Sequence, residues 1–126
     1  MTTRPDVELR VPADSAYVAV LRTTTAGLAA RLDFTIDDIE DLRIAVGEAS
    51  AMVLEQARGG GDLRCAFDLG SGELTVIVSA DADHAAEPDL DGFAWQVLTA
   101  LTSRASAEVT AGAIAIRLSM KSALLA

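Results

Sequence analysis

The spacing of apolar residues changes abruptly at the three glycines at 59–61, and this change limits the folds open to the chain. Before the glycines, apolar residues recur every three or four positions, as on one face of an amphipathic helix. After them, apolar residues alternate with others from Leu63 to Leu69, as in a strand with one buried face. A chain of 126 residues with such a switch is predicted to be one α+β domain.

The segment FTIDDI marks the start of the helix before the glycines. Thr35 can serve as the N-cap with Asp38 three residues later, and Phe34 and Ile39 are placed to form a hydrophobic staple. The sequence predicts a helix of about five to six turns. Its apolar stripe comprises Ile39, Leu42, Val46, Ala49 and Val53.

The other elements follow from the same patterns and from turn residues. Asp14 or Ser15 can cap an earlier helix with apolar positions at Tyr17, Leu21, Leu28 and Leu32. We predict a single domain over 1–126, built as a two-layer sandwich of a mixed, mostly antiparallel sheet covered on one face by about three helices. The further predicted elements are a strand at 7–11, a hairpin turning at 70–72, a loop at 80–92, a helix at 93–103, and one or two strands ending with 113–121, which closes the sheet.

The charge of the chain disfavours two classes of partner. Its 19 acidic residues exceed its 10 basic ones and give a net charge of −9, which opposes binding to nucleic acid and to anionic membranes. No run approaches the roughly 18 apolar residues of a membrane span, and the first residues lack the apolar region of a signal peptide. We therefore expect a cytoplasmic protein without a direct nucleic-acid or membrane partner.

Several side chains could carry chemistry, and each has a plainer alternative. Glu48, four residues before Met52 on the long helix, could act as a general base, or it could be a solvated helix side chain. Cys65 is expected to be a buried thiol and His84 to face solvent. The acids of the 80–92 loop lack the glycine and glutamate of a calcium loop, so we expect a solvated loop and no metal site.

Three stretches, LRIAVGEASAMVLEQA, ELTVIVSADAD and DGFAWQVLTALT, together resemble the anti-sigma factor kinases of the RsbW type. The resemblance covers nearly the whole chain and is greatest to the actinobacterial, sigma-F-type members. These proteins belong to the superfamily of gyrase, Hsp90 and histidine-kinase ATPases. The resemblance implies a histidine-kinase-like ATPase fold, with an ATP pocket between the helices and the sheet, and a homodimer.

The first family motif places a glutamate as general base and, four residues later, an asparagine that holds Mg²⁺. Glu48 matches the base, but Met52 occupies the metal position, and a thioether is a poor ligand for a hard cation. The third motif, GxG, brings backbone amides to phosphate. Gly92 matches its first glycine, whereas Ala94 replaces the second.

The second motif, DxGxG, supplies an aspartate that reads the adenine amino group. The direct register places Ala80 there, and Asp81 could substitute only if the strand shifted by one residue, which would turn its neighbours to the other face. The lid that follows, at about 80–92, is short and acidic. With these losses the resemblance implies weak or absent kinase activity and no required cofactor, although ATP and Mg²⁺ could still bind a degenerate pocket.

The resemblance implies an anti-sigma factor that sequesters an alternative sigma factor and is released by an anti-anti-sigma partner. Arg22, on the first helix, falls where family members contact partners, although it could equally be a solvated helix residue. Two alternatives stay open: an active ATP-dependent serine kinase that phosphorylates the anti-anti-sigma protein, and a regulatory domain with another partner.

Overall fold

A computed structural model of the chain describes residues 4–122, so residues 1–3 and 123–126 of the predicted domain lie outside it. The described part contains five strands and three α-helices, with a single 3-10 turn, Ser15–Tyr17, before the first helix. In chain order the elements are β1 (Val7–Pro12), α1 (Val18–Arg31), α2 (Ile36–Gln56), β2 (Asp62–Gly70), β3 (Glu73–Asp81), α3 (Phe93–Leu101), β4 (Arg104–Thr110) and β5 (Ala113–Lys121).

The strands form one sheet in the order β1-β2-β3-β5-β4. Each pair of neighbouring strands is antiparallel, and no parallel pair occurs within residues 4–122. The α+β sandwich predicted from the sequence is confirmed, although the sheet is antiparallel throughout residues 4–122 and not mixed. The expectation that the last strand closes the sheet is wrong, because β5 lies between β3 and β4 and leaves β4 at the edge.

The core lies between one face of the sheet and the helices. The predicted stripe of α2 is buried, with Leu42, Val46, Ala49 and Val53 fully removed from solvent and Ile39 partly so. Burying one such side chain stabilises the fold by about 1.5–3 kcal/mol, so this stripe fixes which side of α2 faces the sheet. The opposite side of the helix is thereby left free for polar side chains.

The ends of α2 follow its local sequence. The Thr35 hydroxyl accepts a hydrogen bond from the Asp38 backbone N–H at 3.1 Å, as expected of an N-cap. The helix ends at Gln56, before the glycines, because the chain turns there onto the end of β3. The Arg58 backbone N–H donates to the Asp81 carbonyl at 2.8 Å, and Gly60 then takes a positive φ of 78°.

The start of α1 differs from the prediction. Asp14 caps the short 3-10 turn, by accepting from the Ala16 N–H at 2.9 Å, and α1 itself begins at Val18. Tyr17 therefore lies in the turn and is 40% exposed, so it is not part of the buried helix face. Within α1 the Thr25 hydroxyl donates to the Leu21 carbonyl at 2.7 Å, and this bond satisfies a fully buried polar group.

None of the helices in the described part of the chain is both long enough and apolar enough to cross a membrane.

Candidate functional site

Two cavities lie on either side of the exposed surface of α2. The first, which we call the α1–α2 groove, has a volume of about 420 Å³. The second, the α2–α3 pocket, has a volume of about 240 Å³. Both cavities contain residues singled out from the sequence, but they contain different ones.

The α1–α2 groove contains two of the candidate residues, Arg22 from α1 and Glu48 from α2. Both side chains are partly buried, and neither forms an ion pair with another residue in 4–122. The sequence had assigned them separate roles, in partner binding and in catalysis. The structure places them in one cavity, whose remaining lining residues are Glu40, Arg43, Ile44 and Gly47.

Gly47 allows Arg22 to lie close to the backbone of α2. A Cβ atom at Gly47 would lie 3.3 Å from Nη1 and 3.4 Å from Cδ of Arg22, which is tighter than ordinary contact. Glycine inside a helix costs about 1 kcal/mol relative to alanine, so its position here is explained by the close approach of the arginine. The missing side chain at position 47 thus leaves room for the arginine beside α2.

The rest of the groove combines charge with an exposed apolar side chain. Arg43 and Glu40 form an ion pair across one helical turn, with 3.5 Å between Nε and Oε1. Ile44 is 50% exposed beside them. An apolar side chain ringed by both signs of charge is a surface suited to another protein.

The α2–α3 pocket lies where the resemblance places the nucleotide. Met52, Gly92 and Ala94, three of the positions compared with the family motifs, all line it. Glu48 does not, although it is one turn from Met52. The other lining residues are Glu55, Gln56, Pro88, Asp89 and Phe93.

Asp81 lies outside this pocket. The register of β3 against β2 and β5 is regular to its end, so the one-residue shift that Asp81 would need does not occur. Ala80 is buried on the helix-facing side, while Asp81 is exposed on the other face. There its Oδ1 accepts a hydrogen bond from Nη2 of Arg64 at 3.0 Å, and this bond and charge hold the pKa of Asp81 below its usual value.

The loop between β3 and α3 begins at Ala82, and it is attached to the end of α2. The Gln56 side chain pairs with the Ala86 backbone, donating through Nε2 at 2.8 Å and accepting at Oε1 at 2.7 Å. Nε of Arg58 donates to Oδ1 of Asp83 at 2.8 Å. The predicted lid is therefore a largely exposed loop, as expected, but it is tied near the C-terminal end of α2 at Asp83 and Ala86, and we call this tied segment the strap.

The N-terminus of α3 already faces a carboxylate. A Cβ at Gly92 would lie 3.1 Å from Oδ2 and 3.2 Å from the carbonyl oxygen of Asp89, so only glycine allows the loop to pack this closely. Asp89 also accepts the Asp91 N–H at Oδ1, at 3.0 Å, and its carbonyl accepts the Gly92 N–H at 3.0 Å. The Asp89 carboxylate thus lies beside the N-cap residue of α3, at the end of the helix that attracts anions, although no side chain caps that end with a hydrogen bond.

The other candidates from the sequence lie away from both cavities. Cys65 is 1% exposed, and burial raises the pKa of its thiol to about 12, so it is un-ionised near neutral pH. His84 is exposed in the loop. Within residues 4–122, no group of three or more His, Cys, Asp and Glu side chains is arranged to hold a metal ion.

Sequence reasoning missed two residues that shape the α2–α3 pocket. Gln56 carries no local signal, since its partner Ala86 is 30 residues away. Phe93 is 83% exposed at the start of α3, whereas Trp95 and Leu98 are buried. An apolar residue out of phase with the buried face of a short helix was the signal that could have identified it.

Comparison with curated proteins finds relatives named serine-protein kinase RsbW. The chain is 41% identical over 88 residues to the serine-protein kinase RsbW of Halalkalibacterium halodurans, a match that covers 69% of this chain and 52% of the relative. It is 38% identical over 87 residues to the serine-protein kinase RsbW of Bacillus velezensis, over 66% of this chain and 54% of the relative. The chain thus spans about half the length of the curated relatives it matches. No family model matches the sequence.

A solved structure has the same fold. The crystal structure of the RsbU and RsbW domains of a Mycobacterium tuberculosis protein superposes with a TM-score of 0.70, over 94% of this chain and 33% of that one, at 19% identity. The sequence relatives and the shared fold together support an RsbW-type family for this chain, as the sequence resemblance had indicated.

Proposed function

We propose that the chain is an anti-sigma factor that binds an alternative sigma factor through the α1–α2 groove and is released by an anti-anti-sigma protein. The observation that carries the proposal is the meeting of Arg22 and Glu48 in one groove, with neither charge paired inside residues 4–122. Charged side chains held in position beside an exposed apolar residue favour a specific protein contact. The relation to RsbW proteins supports the choice of partner class.

A loss of nucleotide binding is part of the same proposal. Met52 lines the pocket where a Mg²⁺ ligand would be needed, the Asp89 carboxylate lies beside the N-cap residue of α3, and no lining residue is basic. The volume of about 240 Å³ is also below the roughly 300 Å³ at which small-molecule pockets begin. These residues are poorly matched to Mg·ATP, whose phosphates carry negative charge.

An ATP-dependent serine kinase is the second candidate, and it is favoured by the relatives named serine-protein kinase RsbW. Glu48 would then be the general base, with the anti-anti-sigma protein as substrate. A regulatory domain with some other protein partner is a third possibility. We also propose that the chain forms a homodimer, which sedimentation would test. We further propose that it is nearest to the sigma-F-type members, which the identity of the captured sigma factor would test.

The test is capture of purified alternative sigma factors by the tagged chain, with Arg22→Glu as the matched variant. We expect one sigma factor to be retained by the parent chain and lost by the variant. Retention of none would contradict the proposal. Transfer of labelled phosphate from ATP to a serine of the anti-anti-sigma protein, abolished in Glu48→Gln, would establish the kinase instead.

A further inference from the structure

The charged side chains that line the α2–α3 pocket are all acidic. They belong to Glu55 and Asp89, both exposed residues, and the lining includes no arginine or lysine. Two arginines near the adjoining loop and strand pair with other acids: Arg58 pairs with Asp83 at 2.8 Å, and Arg64 pairs with Asp81 at 3.0 Å. A pocket whose lining charges are all negative repels anions and attracts cations.

The walls of the pocket are apolar. Met52, Pro88 and Phe93 supply carbon and sulfur surface, and the Phe93 ring is 83% exposed although it stands at the mouth of a cavity. An aromatic face beside carboxylates suits a guanidinium, which stacks on a ring, while its aliphatic stem covers apolar surface. The ammonium group of lysine is a compact point charge that cannot stack on the ring as a planar guanidinium does.

We infer that the α2–α3 pocket binds an arginine side chain of a protein partner, with its guanidinium between Phe93 and the carboxylates of Glu55 and Asp89. The inference rests on the proposed function, since it describes the chemistry of the surface that an anti-sigma factor would bind. It also explains why an acidic chain keeps an exposed phenylalanine beside this cavity. The former nucleotide position becomes a second contact point for protein, separate from the α1–α2 groove.

The probe is N-acetyl-arginine methylamide, followed by ¹H–¹⁵N NMR on the full chain. We expect shifts of the Met52, Gly92, Phe93 and Ala94 amides that decrease with salt, and smaller shifts with the uncharged norleucine analogue. The double variant Glu55→Gln, Asp89→Asn keeps the size and shape of both side chains. The side-chain amide oxygen introduced at position 89 can still accept the Asp91 N–H, so the variant should fold. Loss of two partly exposed charge pairs should weaken binding about fivefold or more.

The matched control is Glu87→Gln, which removes a charge from the same loop at an exposed position outside the pocket. It should bind the arginine compound as the parent chain does. Equal shifts from the norleucine analogue, shifts confined to another surface, or full binding by the double variant would each overturn the inference. Phe93→Leu provides a second test, since removal of the ring at this exposed site should weaken binding without loss of core packing.

Titration with Mg·ATP separates this inference from the proposed function. Saturable shifts of the same amides by Mg·ATP would contradict the proposed loss of nucleotide binding. A chain that binds its sigma factor yet ignores the arginine compound would overturn the pocket inference alone.

Discussion

The two cavities beside α2 differ in how they compare with the RsbW pattern. In the α1–α2 groove, Arg22 and Glu48 match positions to which the resemblance assigns partner binding and catalysis, and Gly47 leaves room for Arg22 although glycine weakens a helix. In the α2–α3 pocket, Met52 and Ala94 depart from that pattern, and the Asp89 carboxylate lies beside the N-cap residue of α3. The same helix thus carries a surface suited to protein on one side and a pocket ill suited to nucleotide on the other.

On the proposed function, a binding surface and a reaction site would have changed independently on one scaffold. The buried stripe of α2 fixes the helix against the sheet, and it does so whichever side chains point outward. The following experiments test the groove, the loop on the other side of α2, and the core that both sides share.

The largest effect is expected from Arg22→Ala. Removing a central arginine from a protein interface should weaken sigma-factor binding by about 2 kcal/mol, or roughly 30-fold. Isothermal titration calorimetry measures the loss. The control is Arg31→Ala, an exposed arginine in the last turn of α1, which should bind as the parent chain does. Equal losses from the two variants would mean that the groove is not the contact surface.

Gly47→Ala should weaken binding by about three- to tenfold, because the new methyl group displaces Arg22 by a few tenths of an ångström. Its thermal stability should stay within about 1 kcal/mol of the parent, since the gain in helix propensity offsets the crowding. In the double variant with Arg22→Ala, the substitution at Gly47 should cause no additional loss. An additive loss would show that Gly47 acts without the arginine.

Gln56→Ala should loosen the strap on the other side of α2. Two hydrogen bonds to Ala86 are removed, so amide hydrogen exchange of the loop from Asp83 to Ala86 should quicken about fivefold or more. The contact made by Arg22 should be unaffected, because the α1–α2 groove does not touch this loop. Arg22→Ala should therefore cost the same sigma-factor affinity in the Gln56→Ala chain as in the parent, and a smaller cost there would couple the two sides and contradict their independence.

The smallest effect concerns Cys65 in the core that both sides share. Burial raises the pKa of the folded thiol to about 12, above the 9.0 of an unburied cysteine, so the thiol ionises first in the unfolded chain and the free energy of unfolding falls as pH rises between these values. At about pH 9.5 the chain should be about 0.8 kcal/mol less stable than at about pH 8 from this group. Urea unfolding at several pH values gives the slope of the free energy of unfolding against pH, which should be steeper for the parent than for Cys65→Ala. Equal slopes would contradict the raised pKa of the folded thiol. Rapid reaction of the folded thiol with a disulfide reagent at about pH 8 would mean that the core opens.

Local patterns predicted the elements well where one physical signal dominated. The Thr35 cap, the stripe of α2 and the hairpin after the glycines follow from spacing and turn residues alone. The position of β5 inside the sheet could not be predicted, since alternation gives the faces of a strand but not its neighbours. Strand β3 keeps the direct register predicted from the sequence. Ala80 therefore faces the helices and Asp81 faces away from them.

The site was less predictable because it depends on long-range pairs. Arg22 and Glu48 meet only through the packing of α1 on α2, and the strap is fixed by Gln56 and Ala86, 30 residues apart. The role of Asp89 was hidden among several acids in one loop. Its hydrogen bonds with the Asp91 and Gly92 N–H groups and its closeness to Gly92 distinguish it from a solvated side chain.

The most direct test of the account is the affinity of the chain for its sigma factor, measured by calorimetry with and without Mg·ATP. If partner binding has been kept while nucleotide binding has been lost, the two dissociation constants should agree within error. Binding that appears only when Mg·ATP is present would contradict the account.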